Sequence, residues 1–191
     1  MVLGPQGSGK GTQAKRIKAT YGIPHVATGD MIREMKELDT PLGHELKEVY
    51  DRGDLVSDEL MIRLIQDRLS RGDTLGGFVL DGFPRTMPQA EALDELLRTL
   101  DRALDVVFDF QVPDRGELLA RMRKRAEEEG RADDTPEAIE RRLELYDRET
   151  APLVEYYRTR HANVVGIHAD GTVDEVFQEL EQALSSAEGR E

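Results

Sequence analysis

Apolar and polar positions divide the chain into short apolar runs that alternate with longer amphipathic stretches. Met1-Val2-Leu3, Ile23-Pro24-His25-Val26, Gly77-Phe78-Val79-Leu80-Asp81, Val106-Val107-Phe108-Asp109-Phe110 and Val164-Val165-Gly166-Ile167 read as strands. Helical patterns run from Gln13 to Tyr21, from a cap at Asp30 to about Glu37, from Pro41 to Asp51, and from Leu60 to Leu69 behind Ser57-Asp58-Glu59. Further helices are expected from Met87 to Leu100, Glu117 to Glu129, Pro136 to Tyr157 with a break at Pro152, and Val173 to Leu184. Strands alternating with helices predict a parallel sheet with helices on both faces. Ligands of such sheets gather beyond the carboxyl ends of the strands. The polar turns Thr28–Asp30 and Asp81–Arg85 both follow strands, so both should open onto one cleft.

Between the first strand and first helix stands Gly4-Pro5-Gln6-Gly7-Ser8-Gly9-Lys10-Gly11-Thr12. Glycines let a backbone turn its N–H groups inward onto phosphate oxygens, and Lys10 adds a mobile positive charge. The following helix presents its partly positive N-terminus to the same anion. A turn that merely connects two elements would not explain a lysine between two glycines at the mouth of a helix. The general form of this loop puts Ser or Thr directly after the lysine to hold magnesium. Here Gly11 stands there and Thr12 follows, which puts a direct Thr12–metal bond in doubt and favours a metal held through water.

Asp81 ends an apolar strand, where phosphate-loop proteins place a metal-facing aspartate; the plainer role is a turn cap. Arg85 puts a cation beside it, and Arg121, Arg125, Arg131 and Arg142 form a second concentration of positive charge. Arg115, Arg123, Lys124, Arg141 and Arg148 are read as solvated. The histidines, His25, His44, His161 and His168, match no metal or catalytic spacing, and Tyr156-Tyr157 reads as packing.

The 191 residues suit one core, with 38% hydrophobic and 34% charged positions. A net charge of −13 argues against nucleic acid or an anionic membrane as the main partner, while a small polyanion can still occupy a locally positive cleft. The absence of cysteine excludes disulfides and cysteine-ligated zinc. With no secretory segment and no apolar run long enough to span a bilayer, a cytoplasmic protein is expected.

Five separated stretches together resemble the adenylate kinases, nucleoside monophosphate kinases of the short-lid type. They are Gly4–Thr12, Thr28-Gly29-Asp30 with Arg33, Asp54-Leu55-Val56, Asp81-Gly82-Phe83-Pro84-Arg85 with Gln89, and Gly130-Arg131-Ala132-Asp133-Asp134 with Arg142. The resemblance implies an α/β phosphate-loop fold of three layers with a five-stranded parallel sheet. It implies a core (1–26, 57–123, 135–191), a helical monophosphate-binding insertion (27–56) and a short lid loop (124–134). It also implies a monomer that transfers a phosphoryl group reversibly from ATP to AMP with Mg2+, and no structural zinc.

By the same resemblance, Gly7, Ser8, Gly9, Lys10, Gly11 and Thr12 wrap the ATP phosphates. Arg121, Arg125 and Gly171 belong to the donor side. Thr28, Asp54, Leu55, Val56, Gly82, Phe83, Pro84 and Gln89 belong to the acceptor pocket. Arg33, Arg85, Arg131 and Arg142 hold the acceptor phosphate or the phosphoryl in flight, and a cis Phe83–Pro84 peptide is implied. Lys10, Arg85, Arg125, Arg131 and Arg142 are the implied catalytic set, with Asp81 reaching the metal through water. Thr28 and Gln89 favour AMP over the pyrimidine monophosphates of a UMP/CMP kinase. A GTPase would need an Asn-Lys-x-Asp signature that this chain lacks, and a non-catalytic binding module would not need the full cation set.

Overall fold

The apolar runs assemble into one five-stranded, wholly parallel sheet in the computed structural model, which describes residues 1–112, 114–130, 133–160 and 163–188. The strands are β1 (Val2–Leu3), β2 (His25–Ala27), β3 (Val79–Asp81), β4 (Val107–Gln111) and β5 (Val164–His168), in the order β2-β3-β1-β4-β5. The helices are α1 (Lys10–Tyr21), α2 (Thr28–Lys36), α3 (Pro41–Asp51), α4 (Asp58–Leu69), α5 (Met87–Thr99), α6 (Arg115–Glu129), α7 (Pro136–Leu145), α8 (Leu153–Arg160) and α9 (Val173–Glu188). Successive strand residues face opposite layers. Leu3, Leu80 and Val107 enter one core with residues of α4, α5 and α8, while Val2, Val79 and Phe108 enter another with residues of α1 and α9. The fold is therefore a three-layer α/β sandwich, as expected. Tyr156 and Tyr157 pack in the first core with their rings edge to face at 5.1 Å.

Several boundaries differ from the sequence reading. Helix α1 begins at Lys10 because the glycine loop itself supplies its cap: Gly9 takes φ 84°. Asp30 does not cap α2. The helix starts at Thr28, directly after β2, where the Thr28 hydroxyl donates to the Asp81 carbonyl at 3.3 Å and pins the first turn to the neighbouring strand. Asp30 lies within that turn, still favourably placed against the helix dipole.

Helix α6 reaches back to Arg115 behind an Asp114 cap and continues to Glu129, ending at a left-handed Gly130. The helix ends where the sequence pattern set it, so residues 124–129 of the loop implied by the resemblance are helical, Arg125 among them. Helix α7 passes through a π-helical turn at Tyr146–Thr150 before α8 resumes beyond Pro152. The Phe83–Pro84 peptide is cis.

The helical pair α2–α3 leaves the sheet after β2 and returns at Gly53, pressed against α7. Gly53 has φ 78°, and a Cβ there would lie 2.5 Å from the Ala138 carbonyl oxygen. Gly53→Ala should therefore lower unfolding free energy by about 1–3 kcal/mol in urea denaturation, from backbone strain and the forced shift of α7. A loss below about 0.5 kcal/mol would show that this contact does not fix the pair on the core.

Candidate active site

Strand register decides which turns meet. Val2 pairs with Asp81 and Phe108, and Ala27 pairs with Asp81, so the chain leaves β1, β2 and β3 at one level. The glycine loop, the start of α2 and the Gly82–Arg85 turn consequently line one cleft of about 660 Å³. The loop follows the central strand, at the carboxyl edge where open α/β sheets bind ligands.

Within the loop, Gly7 has φ 85°, and a Cβ on it would meet the Leu118 carbonyl at 2.9 Å, so only glycine lets the loop lie against α6. The Lys10 ammonium donates to the Pro5 carbonyl at 3.1 Å, which turns it back over the loop. Burial pushes its pKa down to about 8; Asp81 opposes that shift while Arg85 and Arg125 add to it. The Ser8 hydroxyl oxygen and the Gln6 side-chain oxygen are buried with no partner among the described residues. Such atoms mark a place where polar groups of a ligand belong.

Asp81 faces the loop closely enough that a Cβ on Gly11 would lie 3.4 Å from its Oδ2. The same Oδ2 lies 3.1 Å from Nε2 of His25, a residue read from the sequence as structural or solvated. Burial raises the Asp81 pKa, but the His25 hydrogen bond and the Lys10 charge outweigh it and hold the carboxyl below its usual range. A lone ionised carboxylate beside a phosphate loop fits magnesium, which keeps several waters and takes one or two carboxylates plus phosphate oxygens. Among the described residues no group of three or more His, Asp or Glu could hold a metal by itself. Thr12 lines the same cleft. His44 and His168 pair with Asp39 and Glu179 at the surface, and His161 lies outside the described residues.

A smaller cavity opens from the cleft between Thr28, Gly29, Ile32, Tyr50, Asp54, Leu55, Val56, Met61, Gly82, Arg85 and Gln89. Most acceptor-pocket expectations converge there. Phe83 does not: it is 1% exposed and packs in the core, while Pro84 lines an adjoining space with Lys10 and Arg142. Gln89 is held by both ends of its amide, with Oε1 accepting from the Arg85 N–H and Nε2 donating to Asp58, each at 2.8 Å. Asp58 also accepts from the Thr86 hydroxyl at 2.8 Å. Asp58 opens α4 as the sequence reading expected, and its carboxylate also orients the glutamine. The Asp54 carboxylate is taken by Arg141 at 2.9 Å and Arg52 at 3.3 Å, so Arg141 is a bridge from α7 to the α2–α3 pair and not merely solvated.

The cations are fixed individually. Arg85 is anchored three ways: its N–H by Gln89, its Nε by the Gly82 carbonyl at 2.8 Å, and its carbonyl by the Thr150 hydroxyl at 2.9 Å. Thr150 comes from the π-helical turn, an irregularity of the kind often found at functional sites. Arg33 lies between Asp30 and the Tyr50 hydroxyl. Arg125 and Arg142 both hold Asp134, whose side chain is fully buried, and Arg142 also reaches Asp133 at 3.1 Å and the Tyr50 carbonyl at 3.0 Å. Arg121 donates to the Ala169 carbonyl at 2.8 Å and pairs with Glu117, beside Gly171 on the cleft wall. Arg131 lies outside the described residues.

A family model described as adenylate kinase matches residues 2–162. The chain is similar to the adenylate kinase of Xanthomonas campestris pv. campestris strain 8004, at 45% identity over 96% of this chain and 97% of that relative. It is similar to the adenylate kinase of Leifsonia xyli subsp. xyli strain CTCB07, at 48% identity over 97% of this chain and 92% of that relative. The adenylate kinase of Xylella fastidiosa strain 9a5c is 45% identical, over 96% and 97% respectively. The glycine loop with Lys10, the Asp81–Arg85 turn and the cations gathered across from them fit that likeness, and the chain belongs to the adenylate kinase family.

Proposed function

We propose that this chain transfers a phosphoryl group reversibly from MgATP to AMP, giving two molecules of ADP. The observation that carries this reading is the convergence of Lys10, Arg33, Arg85, Arg125 and Arg142 on one cleft between a phosphate loop and a small, partly apolar pocket. Gly7–Thr12 wrap the donor phosphates, with Arg121 and Gly171 toward the donor base. Thr28, Leu55, Val56 and Gln89 take the acceptor base, with Asp54, Gly82, Pro84 and Arg85 at the rim. Arg33 and Arg85 hold the acceptor phosphate, and Arg125, Arg131 and Arg142 gather around the group in transit. Asp81, with Thr12 on the same cleft wall, would hold magnesium through water, and the metal would neutralise charge on the donor phosphates.

The acceptor is itself a phosphate oxygen. With a second pKa near about 6, a monophosphate is already mostly dianionic at neutral pH, so no general base is required. Asp30 sits close by, but its carboxylate is engaged by Arg33. The obstacle is repulsion between two polyanions, together with charge spread over the moving group. Fixed cations in a water-poor cleft lower that barrier because they need no reorganisation when the charge develops. One such arginine contributes about 10³–10⁵ in rate, roughly 4–7 kcal/mol, in related transfers. Closure of the insertion (27–56) and of the segment 124–134 over bound nucleotides keeps water, the competing acceptor, out. We place the enzyme in the cytoplasm as a monomer. The cysteine-free composition suits a reducing compartment.

Production of ADP from ATP plus AMP, with and without magnesium, tests the reading directly; ATP hydrolysis that ignores AMP would overturn it. Arg125→Ala should lower turnover at least a hundredfold with a modest effect on AMP binding, and an unchanged turnover number would remove Arg125 from the catalytic set. Gln89→Ala should reduce the preference for AMP over CMP by about tenfold or more in kcat/KM, because a site built around a base's polar edge penalises mismatch strongly. It should also cost about 1–3 kcal/mol of stability, since the Arg85 N–H loses its partner and Asp58 keeps only its bond from Thr86. Equal selectivity in mutant and wild type, measured over AMP, CMP and UMP, would rule out this pocket as the reader of the base.

A further inference from the structure

We infer that the Tyr50 hydroxyl is a phosphate-binding group of the acceptor site, donating its proton to an oxygen of the bound nucleoside monophosphate. The inference rests on the acceptor pocket proposed above and adds to it a neutral donor among the arginines. Tyr50 lies near the end of α3, on the wall shared by the small cavity and the large cleft. Its oxygen accepts a hydrogen bond from Arg33 Nη1 at 2.6 Å. A phenol oxygen that accepts from a guanidinium still has one O–H to give. No hydrogen-bond acceptor takes that proton among the described residues.

The ring is held so that the hydroxyl stays where it is. The Arg142 guanidinium carbon lies 5.0 Å from the ring centroid and the Lys36 ammonium 5.1 Å, both within cation–π range. Arg142 also donates to the Tyr50 carbonyl at 3.0 Å, fixing the backbone behind the ring. Lys36 is held in turn by Asp51 at 2.6 Å. A phosphate arriving on Arg33 thus meets an oriented O–H within hydrogen-bond distance of the same guanidinium. Because the donor carries no net charge, it adds a hydrogen bond without adding to the mutual repulsion of the surrounding cations.

A purely structural tyrosine would affect every ligand of the pocket alike, whereas a phosphate donor affects only the phosphorylated one. The test uses the full-length chain with AMP and adenosine as probes, their dissociation constants read by NMR shift titration, which reaches millimolar affinities. Tyr50→Phe keeps the ring and its cation contacts and removes the hydroxyl. It should weaken AMP about tenfold, the low end for a hydrogen bond to a charged group, and leave adenosine within twofold. Equal weakening of both probes, or of neither, overturns the inference. Arg33→Ala is run alongside. Weakened AMP binding in Arg33→Ala but not in Tyr50→Phe rejects the tyrosine alone, and unchanged AMP binding in both rejects the acceptor pocket on which it rests.

Discussion

Mutual repulsion among like charges is the constraint around which this cleft is built. Lys10, Arg33, Arg85, Arg125 and Arg142 face one space in a chain whose net charge is −13, and burial drives the Lys10 pKa toward neutrality. Cations brought together in a low-dielectric setting repel strongly unless each has a counter-charge or a ring of fixed dipoles. The structure supplies one for each: Asp81 for Lys10, Asp30 for Arg33, Asp133 and Asp134 for Arg142, Asp134 again for Arg125. Arg85 also feels the charge of Asp81, but among the described residues no carboxylate bonds to it directly. It is held by the Gly82 carbonyl and by hydrogen bonds to its own backbone from Gln89 and Thr150.

That difference separates two kinds of positive group. Arg85 is set in place by neutral partners that any bound anion leaves untouched, so it is positioned before a ligand arrives. Arg125 and Arg142 are set in place by carboxylates that an anion would have to displace. In the proposed reaction the first kind would fix where a phosphate sits, and the second would respond to its arrival. Groups of the first kind give electrostatic preorganisation, since no dipole has to turn when charge develops on the ligand.

How much of this could be read from the sequence follows the range of the interactions. The sheet, the helices and the glycine loop are local patterns, and the alternation of strands with helices foretold core layers on both faces of the sheet. The loop's lysine, Asp81 and Arg85 carry their meaning in their immediate neighbours. The residues that support them do not. His25 meets Asp81 across 56 positions, Asp58 meets Gln89 across 31, and Arg141 meets Asp54 across 87. A histidine in a short strand or an aspartate at a helix start looks the same whether or not strand register brings it to a site. The π-helical turn that delivers Thr150 to Arg85 was likewise hidden, because Tyr146–Thr150 reads as unbroken helix. At α6 the charged run from Arg123 to Glu129 favours helix on propensity alone, and Gly130 is the first residue able to end it.

The shared carboxylate of Asp134 connects the two sides of the cleft. Its side chain is fully buried, with Arg125 of α6 on one oxygen and Arg142 of α7 on the other. If a transferring phosphoryl takes both arginines, Asp134 loses both of the cations that bond to it among the described residues, and a buried carboxylate so stripped is several kcal/mol unfavourable. It must then move toward water or find a new donor, and the segment that carries it must move with it. Arg142 also holds the Tyr50 carbonyl, so the same displacement is felt in the helical pair that frames the small cavity. An anion that engages just one arginine leaves Asp134 its other partner and exerts no such force. Rearrangement on both sides therefore follows from occupancy between the two arginines, the condition under which excluding water matters.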